Sequence, residues 1–534
     1  MPVDAPKANW VDLMMKANAM KRSEFLKSLG AALALPSAGC RSWFMSAAHP
    51  MTPNYFCTWR TQGARLGAAR KSGIARFPGD QGNPSTRDNL NEELLFGWDG
   101  WTGFYPESRG DLIFTIDDGW DVPYATDPQK KYSLFGSLVP DATRFPSLRG
   151  TPGERLRQLS DRVKDAGWRG LGLWVSPVDE PEDDVRRKLE YCAQGEIACL
   201  KVDWGNGADP RFRQRMYRLK QKIAPDILME HCRVQMPLNG LDRQLRGNGR
   251  RLVGEVDKDV LNDERAILPY CDVWRIYDWY LPLVVPQSIE RTVCDLKLVG
   301  ETGSRAIVNT EDALYVASAL GCSFGVMRSR HTASGGHAVS DISKRLKEVD
   351  RATAWARIAP PFSGGTIRWS DRALSDSWYA RKGEFWYAPV NERDVAQFAP
   401  AVASRNLPLP EVSAGSDAPY VLATRYPNGA IAVAALPRIR NERFFTPRAD
   451  VRLDAVLEPG VPLGVFGRFG SLSLRMREGF RVLVADLAGG RRHDLTAACK
   501  IVNGVLTLPG DLLARIGTES GADESLPAVF VEAV

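Results

Sequence analysis

The chain has 534 residues, of which 44% are hydrophobic and 25% charged, a composition typical of a folded protein with room for about two or three domains. Its formal net charge of +6 is small for this length, and its Lys and Arg residues do not cluster among aromatic residues, so charge gives no reason to expect nucleic-acid binding. The nine cysteines are odd in number and form no CxxC pair, which argues against a disulfide framework and a structural zinc site.

Residues 1–45 have the features of an export leader. Met20-Lys21-Arg22 precedes a short apolar run from Leu29 to Leu35, which is followed by Cys40; Met20 is an alternative start. The run is too short to span a bilayer, and no later segment reaches the roughly 18 apolar residues of a membrane helix. We therefore expect a periplasmic or secreted protein without a transmembrane segment. Cys40 is a candidate lipid anchor, and a cleaved or buried thiol is the alternative.

Residues 46–358 alternate short apolar runs with amphipathic segments. The runs favour eight strands, namely Tyr55 to Trp59, Leu112 to Ile116, Gly170 to Val175, Ala198 to Val202, Ile227 to Glu230, Val273 to Tyr277, Arg305 to Val308 and Cys322 to Met327. The segments between them that favour helices include Glu154 to Ala166 and Ile289 to Val299, while Gly63 to Thr86 is expected to be a long loop. This alternation predicts an α/β fold, a (β/α)₈ TIM barrel, whose chemistry lies at the carboxyl ends of the strands.

Residues 359–534 have a different pattern of residue types. After a helical stretch from Ile342 to Ala356, a turn-rich connector at Pro360-Pro361 leads into aromatic and β-branched runs broken by Pro and Gly. These runs include Tyr420 to Thr424, Ala430 to Ala435 and Arg481 to Ala485. They predict a C-terminal all-β, sandwich-like domain.

The second predicted strand ends in two adjacent carboxylates, Asp117 and Asp118, followed by Gly119 and Trp120. Adjacent acids at the mouth of a barrel suit hydrogen bonding to neighbouring hydroxyls of a sugar. A solvated loop or a helix cap is the alternative, and a divalent metal ion has less support because no suitably spaced His or carboxylate follows.

The fourth predicted strand contains Lys201-Val202-Asp203. Strand alternation places Lys201 and Asp203 on one face, where the cation is expected to favour the ionised form of Asp203, as a carboxylate nucleophile requires. A buried ion pair without catalytic function is the alternative.

The sixth predicted strand is followed by Asp278, between Tyr277 and Trp279. Apolar surroundings raise the pKa of a carboxylic acid, which suits a proton donor to a leaving-group oxygen. Asp272, at the other end of the same run, is the competing candidate for this function.

Together these segments resemble the α-galactosidase-like glycoside hydrolases of families 27 and 36, the melibiases. The resemblance is carried by Asp117 to Trp120, which is similar to the family's DDGW motif; by Lys201-Val202-Asp203, similar to its K-x-D motif; by Leu171 to Trp174; by Arg275 with Asp278; and by Asn309 to Ser329. It implies that Asp203 is the nucleophile and Asp278 the acid/base of a retaining glycosidase. It also implies a set of sugar-binding residues comprising Trp59, Asp117, Asp118, Trp120, Trp174, Lys201 and Arg275, with neither metal nor cofactor.

Two segments depart from family 27. The spacing from Arg275 to Asp278 is one residue shorter than in the family, and Glu230-His231-Cys232-Arg233 stands where the family has a Cys-Glu-Trp segment that contacts the second carbon of the sugar. The most direct expectation is an exo-acting α-galactosidase whose partner is an α-linked oligo- or polysaccharide. The alternatives are a glycosidase for α-N-acetylgalactosamine, β-L-arabinopyranose or α-glucose, and a non-catalytic carbohydrate-binding protein on the same barrel.

Overall fold

The computed structural model describes residues 52–64, 87–124, 136–203, 207, 209–232, 258–276, 285–332, 342–380, 393–415, 417–440, 443–521 and 523–534. The export leader, Cys40 and the proposed acid/base Asp278 lie outside these residues. None of the described helices is long and apolar enough to cross a membrane.

Eight parallel strands close into a barrel, in chain order from β1 to β8 with β8 paired to β1. Their bounds are β1 Tyr55–Cys57, β2 Ile113–Ile116, β3 Gly170–Val175, β4 Cys199–Val202, β5 Leu228–Cys232, β6 Val273–Ile276, β7 Ile307–Glu311 and β8 Ser323–Val326. The barrel fold predicted from the sequence is therefore confirmed, with each strand close to its expected position.

The helices of this part of the chain are α1 Trp59–Ala64, α2 Glu92–Phe96, α3 Pro152–Asp165, α4 Glu182–Gln194, α5 Pro210–Ile223, α6 Lys258–Ile267, α7 Val285–Thr302, α8 Leu314–Leu320 and α9 Lys347–Ile358. The expected loop from Gly63 is wrong at its start, because Gly63 and Ala64 close α1. Trp59 likewise begins this helix instead of ending the first strand.

Helix α3 shows how the local sequence fixes these elements. Thr151 caps its first turn and forms a reciprocal capping box with Glu154, while Pro152 occupies the first turn, where its missing N–H costs nothing. Leu156, Leu159 and Val163 are buried at helical spacing against the outer face of the barrel.

The C-terminal region contains two packed sheets. The strands are β9 Ile367–Trp369, β10 Ala373–Ala380, β11 Arg393–Pro400, β12 Val402–Arg405, β13 Glu411–Ser413, β14 Tyr420–Arg425, β15 Ile431–Leu436, β16 Arg438–Arg440, β17 Arg443–Phe445, β18 Asp450–Leu457, β19 Leu463–Gly467, β20 Ser471–Met476, β21 Val482–Asp486, β22 His493–Asp494, β23 Lys500–Val502, β24 Val505–Pro509 and β25 Ala528–Ala533, with helix α10 at Gly510–Ile516. An eight-stranded sheet has the order β22-β21-β25-β19-β15-β14-β12-β9, and a five-stranded sheet has the order β13-β18-β20-β24-β23.

The eight-stranded sheet is buried on both faces. Val421 and Val433 belong to one apolar core with Leu472 and Leu506 of the five-stranded sheet, as in a β-sandwich. Alternate residues of the same strands, including Leu422 and Phe466, join the larger core that contains the barrel helices. The predicted all-β region is therefore confirmed, and it shares a core with the barrel.

Within the barrel, the side chains of each strand alternate between the outer helices and the interior. The strand register stacks the inward side chains in layers drawn from alternate strands, as in other barrels of this type. From the amino end upward, the layers that matter here are Tyr55, Gly172, Glu230 and Asn309; then Thr115, Lys201, Arg275 and Gly325; then Cys57, Trp174, Cys232 and Glu311; and then Asp117, Asp203 and Met327. Acidic, basic and thiol side chains therefore fill much of the barrel interior.

Candidate active site

Asp117 and Lys201 form a buried ion pair inside the barrel. The Nζ of Lys201 lies 2.5 Å from Oδ2 of Asp117, and both side chains are nearly inaccessible to solvent. Asp117 also accepts hydrogen bonds from the thiol of Cys57, at 2.9 Å, and from the backbone N–H of Asp118, at 2.8 Å. Burial lowers the pKa of Lys201, but the charge of Asp117, with smaller raising effects from Cys57 and Cys232, outweighs it, so that this pKa is raised well above its usual value. Lys201 is therefore a cation held by Asp117.

Asp203 follows β4 at the carboxyl end of the barrel. Its Oδ2 accepts a hydrogen bond of 3.1 Å from the indole Nε1 of Trp174 on the neighbouring strand. Burial raises the pKa of Asp203, although the charges of Lys201 and Arg275 and the bond from Trp174 act in the opposite direction. Lys201 therefore favours the ionised form of Asp203, as the sequence predicts, but burial has the larger and opposite effect on this pKa.

Asp118 and Trp120 have structural contacts on the outer side of this end of the barrel. Asp118 forms an ion pair with Arg87, whose Nε lies 2.9 Å from Oδ1, and its carbonyl accepts a hydrogen bond from Gln62. Trp120 is fully buried and donates a hydrogen bond of 2.8 Å from Nε1 to the carbonyl of Trp174. Both predicted sugar-binding residues therefore make contacts that support the loop after β2.

Arg275 lies in the same layer as Lys201 and carries the second interior cation. Its Nη1 donates to Glu311 on β7, and its Nε lies 3.8 Å from Oε1 of Glu230 on β5. Arg60, at the start of α1, lies 3.7 Å from the other oxygen of Glu311. The guanidinium of Arg275 is thus held by carboxylates from two neighbouring strands.

Trp59 joins the site from the first strand-to-helix turn. It is almost fully buried and packs in an interior apolar cluster with Tyr55 and Met327. Trp174, on β3, is in contact with Val122. The two indoles therefore supply apolar surface near the carboxylates.

Asp272 lies at the amino end of the barrel, whereas Asp203 lies at the carboxyl end, so the structure does not bring these two carboxylates together. Asp272 precedes β6, and its carboxylate accepts hydrogen bonds from Tyr217, Lys220 and the backbone N–H of Met229. These partners identify Asp272 as a cap on the amino ends of β5 and β6. Ile276, which ends β6 at the carboxyl end, is the described residue nearest in sequence to Asp278.

A further acidic side chain, Asp121, is buried beside the loop after β2. Burial raises its pKa to about 7, while hydrogen bonds from Ser137 lower it and the charge of Asp118 raises it. Asp121 directly follows Trp120 in the sequence.

Several polar residues that the fold brings to the site were not identified from the sequence, namely Cys57, Arg60, Arg87 and Glu311, and Glu230 was named only within a segment that departs from family 27. Strand alternation was sufficient to place Glu230 in the interior, since it lies two residues before Cys232 and pairs in register with Lys201. Nothing in the sequence pairs Arg87 with Asp118, because the contact joins residues on separate elements through tertiary packing.

No protein-family model and no curated protein matches the sequence. Among solved structures, a family 27 β-L-arabinopyranosidase from Geobacillus stearothermophilus, in complex with arabinose, is similar over 91% of this chain and 99% of its own, with 10% identity and a TM-score of 0.38. A candidate α-galactosidase/melibiase from Bacteroides fragilis is similar over 90% of this chain and 79% of its own, with 13% identity and a TM-score of 0.33. The carboxyl transferase domain of Rhizobium etli pyruvate carboxylase, with pyruvate, is similar over 59% of this chain and 47% of its own, with 14% identity and a TM-score of 0.30. At these identities and TM-scores, none of the three likenesses carries a conclusion about activity.

Proposed function

We propose that the protein is a retaining, exo-acting glycosidase, and most specifically an α-galactosidase. The single observation that carries the proposal is the setting of Asp203. It is a buried carboxylate at the carboxyl end of a closed barrel, held by an indole N–H and near two interior cations. Such a setting fixes the orientation of one carboxylate oxygen and surrounds it with positive charge, as a carboxylate nucleophile requires.

In the proposed mechanism, Asp203 attacks the anomeric carbon of a terminal sugar. A carbon–oxygen bond forms to Asp203 while the glycosidic bond breaks, and Asp278 gives its proton to the departing oxygen. In the second half, a water molecule gives a proton back to Asp278 and attacks the same carbon, which releases Asp203 as a carboxylate. Two inversions give net retention, one water molecule is consumed, and Asp203 and Asp278 regain their starting protonation states.

The remaining residues bind and orient the sugar. Lys201, held by Asp117, and Arg275, held by Glu311, present fixed cations and donors to the sugar hydroxyls. Trp59 and Trp174 supply flat apolar surface of the kind that stacks on a sugar ring. The choice of an α-galactoside rests on the motifs from Asp117 to Trp120 and from Lys201 to Asp203, which resemble those of the melibiases.

The decisive experiment compares the wild-type chain with Asp203→Asn on a panel of 4-nitrophenyl glycosides. We expect the wild type to turn over the α-galactoside and the variant to lose activity by about four orders of magnitude or more, with an unchanged melting temperature. Wild-type turnover by the variant overturns the assignment of the nucleophile. Turnover of a different glycoside corrects the sugar while retaining the mechanism.

Two further measurements separate a glycosidase from a binding protein. Proton NMR of the reaction in progress is expected to show the α-anomer of the released sugar first, whereas an inverting enzyme releases the β-anomer. A mechanism-based galactosyl inactivator is expected to label Asp203, as judged by mass spectrometry of the digested protein. Binding of galactose without label or turnover contradicts the proposal and identifies a carbohydrate-binding protein.

A further inference from the structure

The barrel has a polar floor, three layers below the layer that contains Asp117 and Asp203. This floor consists of Tyr55 on β1, Gly172 on β3, Glu230 on β5 and Asn309 on β7. Glu230 and Asn309 are fully buried. A buried carboxyl group below the candidate pocket has no function in the mechanism proposed above, so its contacts call for another explanation.

Tyr55 and Glu230 form a bridge across the barrel. The hydroxyl of Tyr55 donates a hydrogen bond of 3.0 Å to Oε1 of Glu230, which joins strands on opposite sides of the sheet. Gly325 makes this bridge possible, because a Cβ at that position would lie 2.5 Å from the ring of Tyr55. Because Gly325 has no side chain, the ring of Tyr55 has space beside β8.

The bridge supports Arg275 from below. The Oε1 atom that accepts from Tyr55 also lies 3.8 Å from Nε of Arg275, while the other end of the same guanidinium donates to Glu311 in the layer above the arginine. Arg275 is therefore held between a carboxyl group beneath it and a carboxylate above it. Its position depends on both.

The floor also has unused capacity for hydrogen bonding. Oε2 of Glu230 and both amide atoms of Asn309 have no hydrogen-bond partner among the described residues, although both side chains are buried. Buried polar atoms of this kind are normally satisfied by internal water, which needs two or more polar partners. A carboxyl oxygen and an amide in one layer provide them.

We propose that Glu230 and Tyr55 are positioning residues for Arg275, and that water bound by Glu230 and Asn309 completes this support. The inference deepens the proposed function, and rests on it in one respect, which is that Arg275 binds the substrate. The ionised form of Glu230 holds the guanidinium, and the protonated form releases it.

The ionisation of Glu230 falls in an accessible pH range. Burial raises its pKa to about 7, against the lowering effect of Arg275, Lys201 and the bond from Tyr55. The titratable groups that interact with it are Tyr55 from β1, Cys199 and Lys201 from β4, Arg213 from α5, Cys232 from β5, Cys271 before β6, Arg275 from β6 and Glu311 from β7. Burial raises the pKa values of the Cys199 and Cys232 thiols well above their usual range, so neither thiol changes charge near pH 7.

The test compares full-length wild type, Glu230→Gln and Tyr55→Phe with the 4-nitrophenyl α-galactoside as probe. At about pH 8 we expect Glu230→Gln to raise KM about tenfold while kcat stays within about twofold, because the charge that fixes Arg275 is lost. At about pH 5.5 the KM values of wild type and Glu230→Gln are expected to agree, because Glu230 is then protonated. Tyr55→Phe is expected to shift the midpoint of the KM change upward. If Glu230→Gln has the same KM as the wild type at both pH values, or raises KM by the same factor at both, the proposal is overturned.

Glu348→Gln is the matched control. Glu348 is a buried carboxylate that pairs with Arg328 and Arg345 on the outer side of the barrel, so its loss tests the general cost of removing a buried charge. It is expected to lower the melting temperature without changing the pH dependence of KM. A change like that of Glu230→Gln also overturns the proposal.

Crystal structures of wild type and Glu230→Gln at about pH 8 test the same inference without turnover. A displaced Arg275 guanidinium in the variant supports the positioning role, even if the wild type hydrolyses no glycoside and the proposed function fails. An unmoved guanidinium overturns the positioning role, even if the glycosidase activity is established.

Discussion

The indole Nε1 of Trp174 donates a hydrogen bond of 3.1 Å to Oδ2 of Asp203, joining the third and fourth barrel strands at their carboxyl ends. This bond is one of the interactions that oppose the effect of burial on the pKa of Asp203. Trp174→Phe removes it, so the pKa of Asp203 rises further and the acid limb of the kcat/KM profile moves to higher pH. A hydrogen bond to a charged group contributes about 1.5 to 3 kcal/mol, which corresponds to a loss of about 10- to 100-fold in kcat/KM.

Trp168→Phe is the matched control for this prediction. The Nε1 of Trp168 donates a hydrogen bond of 2.8 Å to the carbonyl of Thr102, in the core outside the barrel. The control also loses an indole hydrogen bond, which is expected to lower its stability. The acid limb of its kcat/KM profile is expected to stay at the wild-type pH. An acid limb that does not move in Trp174→Phe contradicts the link between the indole and Asp203.

Because Lys201 and Asp117 form a buried ion pair, we expect the free energy of unfolding to depend strongly on whether both side chains are present. Both side chains are almost completely buried, so Lys201→Met leaves an unpaired carboxylate inside the barrel and is expected to cost about 3 to 5 kcal/mol of unfolding free energy. The double variant Lys201→Met with Asp117→Asn removes both charges and is expected to be more stable than Lys201→Met alone. Urea unfolding of the wild type, Lys201→Met, Asp117→Asn and the double variant measures the coupling energy, and additive losses contradict the pairing.

The barrel could be predicted from the sequence because each strand is a short apolar run with polar residues at its ends. The largest error in a strand is at β7, which was expected to end at Val308 and continues to Glu311. Its last residues, Asn309 and Glu311, face a polar interior, so the hydrophobic pattern stops before the strand does. Period-two alternation detects a strand with one apolar face, and it fails where the interior itself is charged.

The acids at the strand ends could also be predicted, but their partners could not. Lys201 was expected to act on Asp203 because the two are close in sequence and on one face of the strand. In the structure the ammonium group points to Asp117 of the second strand, which shares the interior with it. The tilt of the strands decides which side chains meet in the barrel, and a single sequence does not contain the register that sets this tilt.

Asp121 predicts a pH dependence of stability with a definite sign. Burial raises the pKa of its carboxyl group from 3.8 to about 7, so between these values the folded protein holds a proton that the unfolded chain has lost. The contribution of Asp121 to stability is therefore fully present below about pH 4 and is lost as the pH rises through about 7, by roughly 4 kcal/mol. Asp121→Asn is expected to flatten this part of the curve, as measured by urea unfolding at intervals between pH 4 and 8.

Asp494→Asn is the control for this titration, because Asp494 is solvent-exposed and hydrogen bonds from Thr496 lower its pKa. Its replacement is expected to leave the slope between pH 4 and 7 unchanged. A wild-type slope in Asp121→Asn contradicts the assignment of the buried proton to Asp121.

Arg351 of α9 and Asp486 of β21 join the barrel region to the eight-stranded sheet through a two-pronged ion pair, with nitrogen–oxygen distances of 2.9 and 3.0 Å. Both side chains are buried, so Arg351→Met is expected to leave an unpaired carboxylate between the two regions and to cost about 3 to 5 kcal/mol. Arg475 and Asp454 form a pair at 2.9 Å on the surface of the five-stranded sheet, where both partners are exposed, so Arg475→Met is expected to cost about 1 kcal/mol or less. Urea unfolding of the two variants compares a buried and an exposed pair of equal length. Equal losses of unfolding free energy in Arg351→Met and Arg475→Met contradict the conclusion that the barrel and the eight-stranded sheet share one buried core.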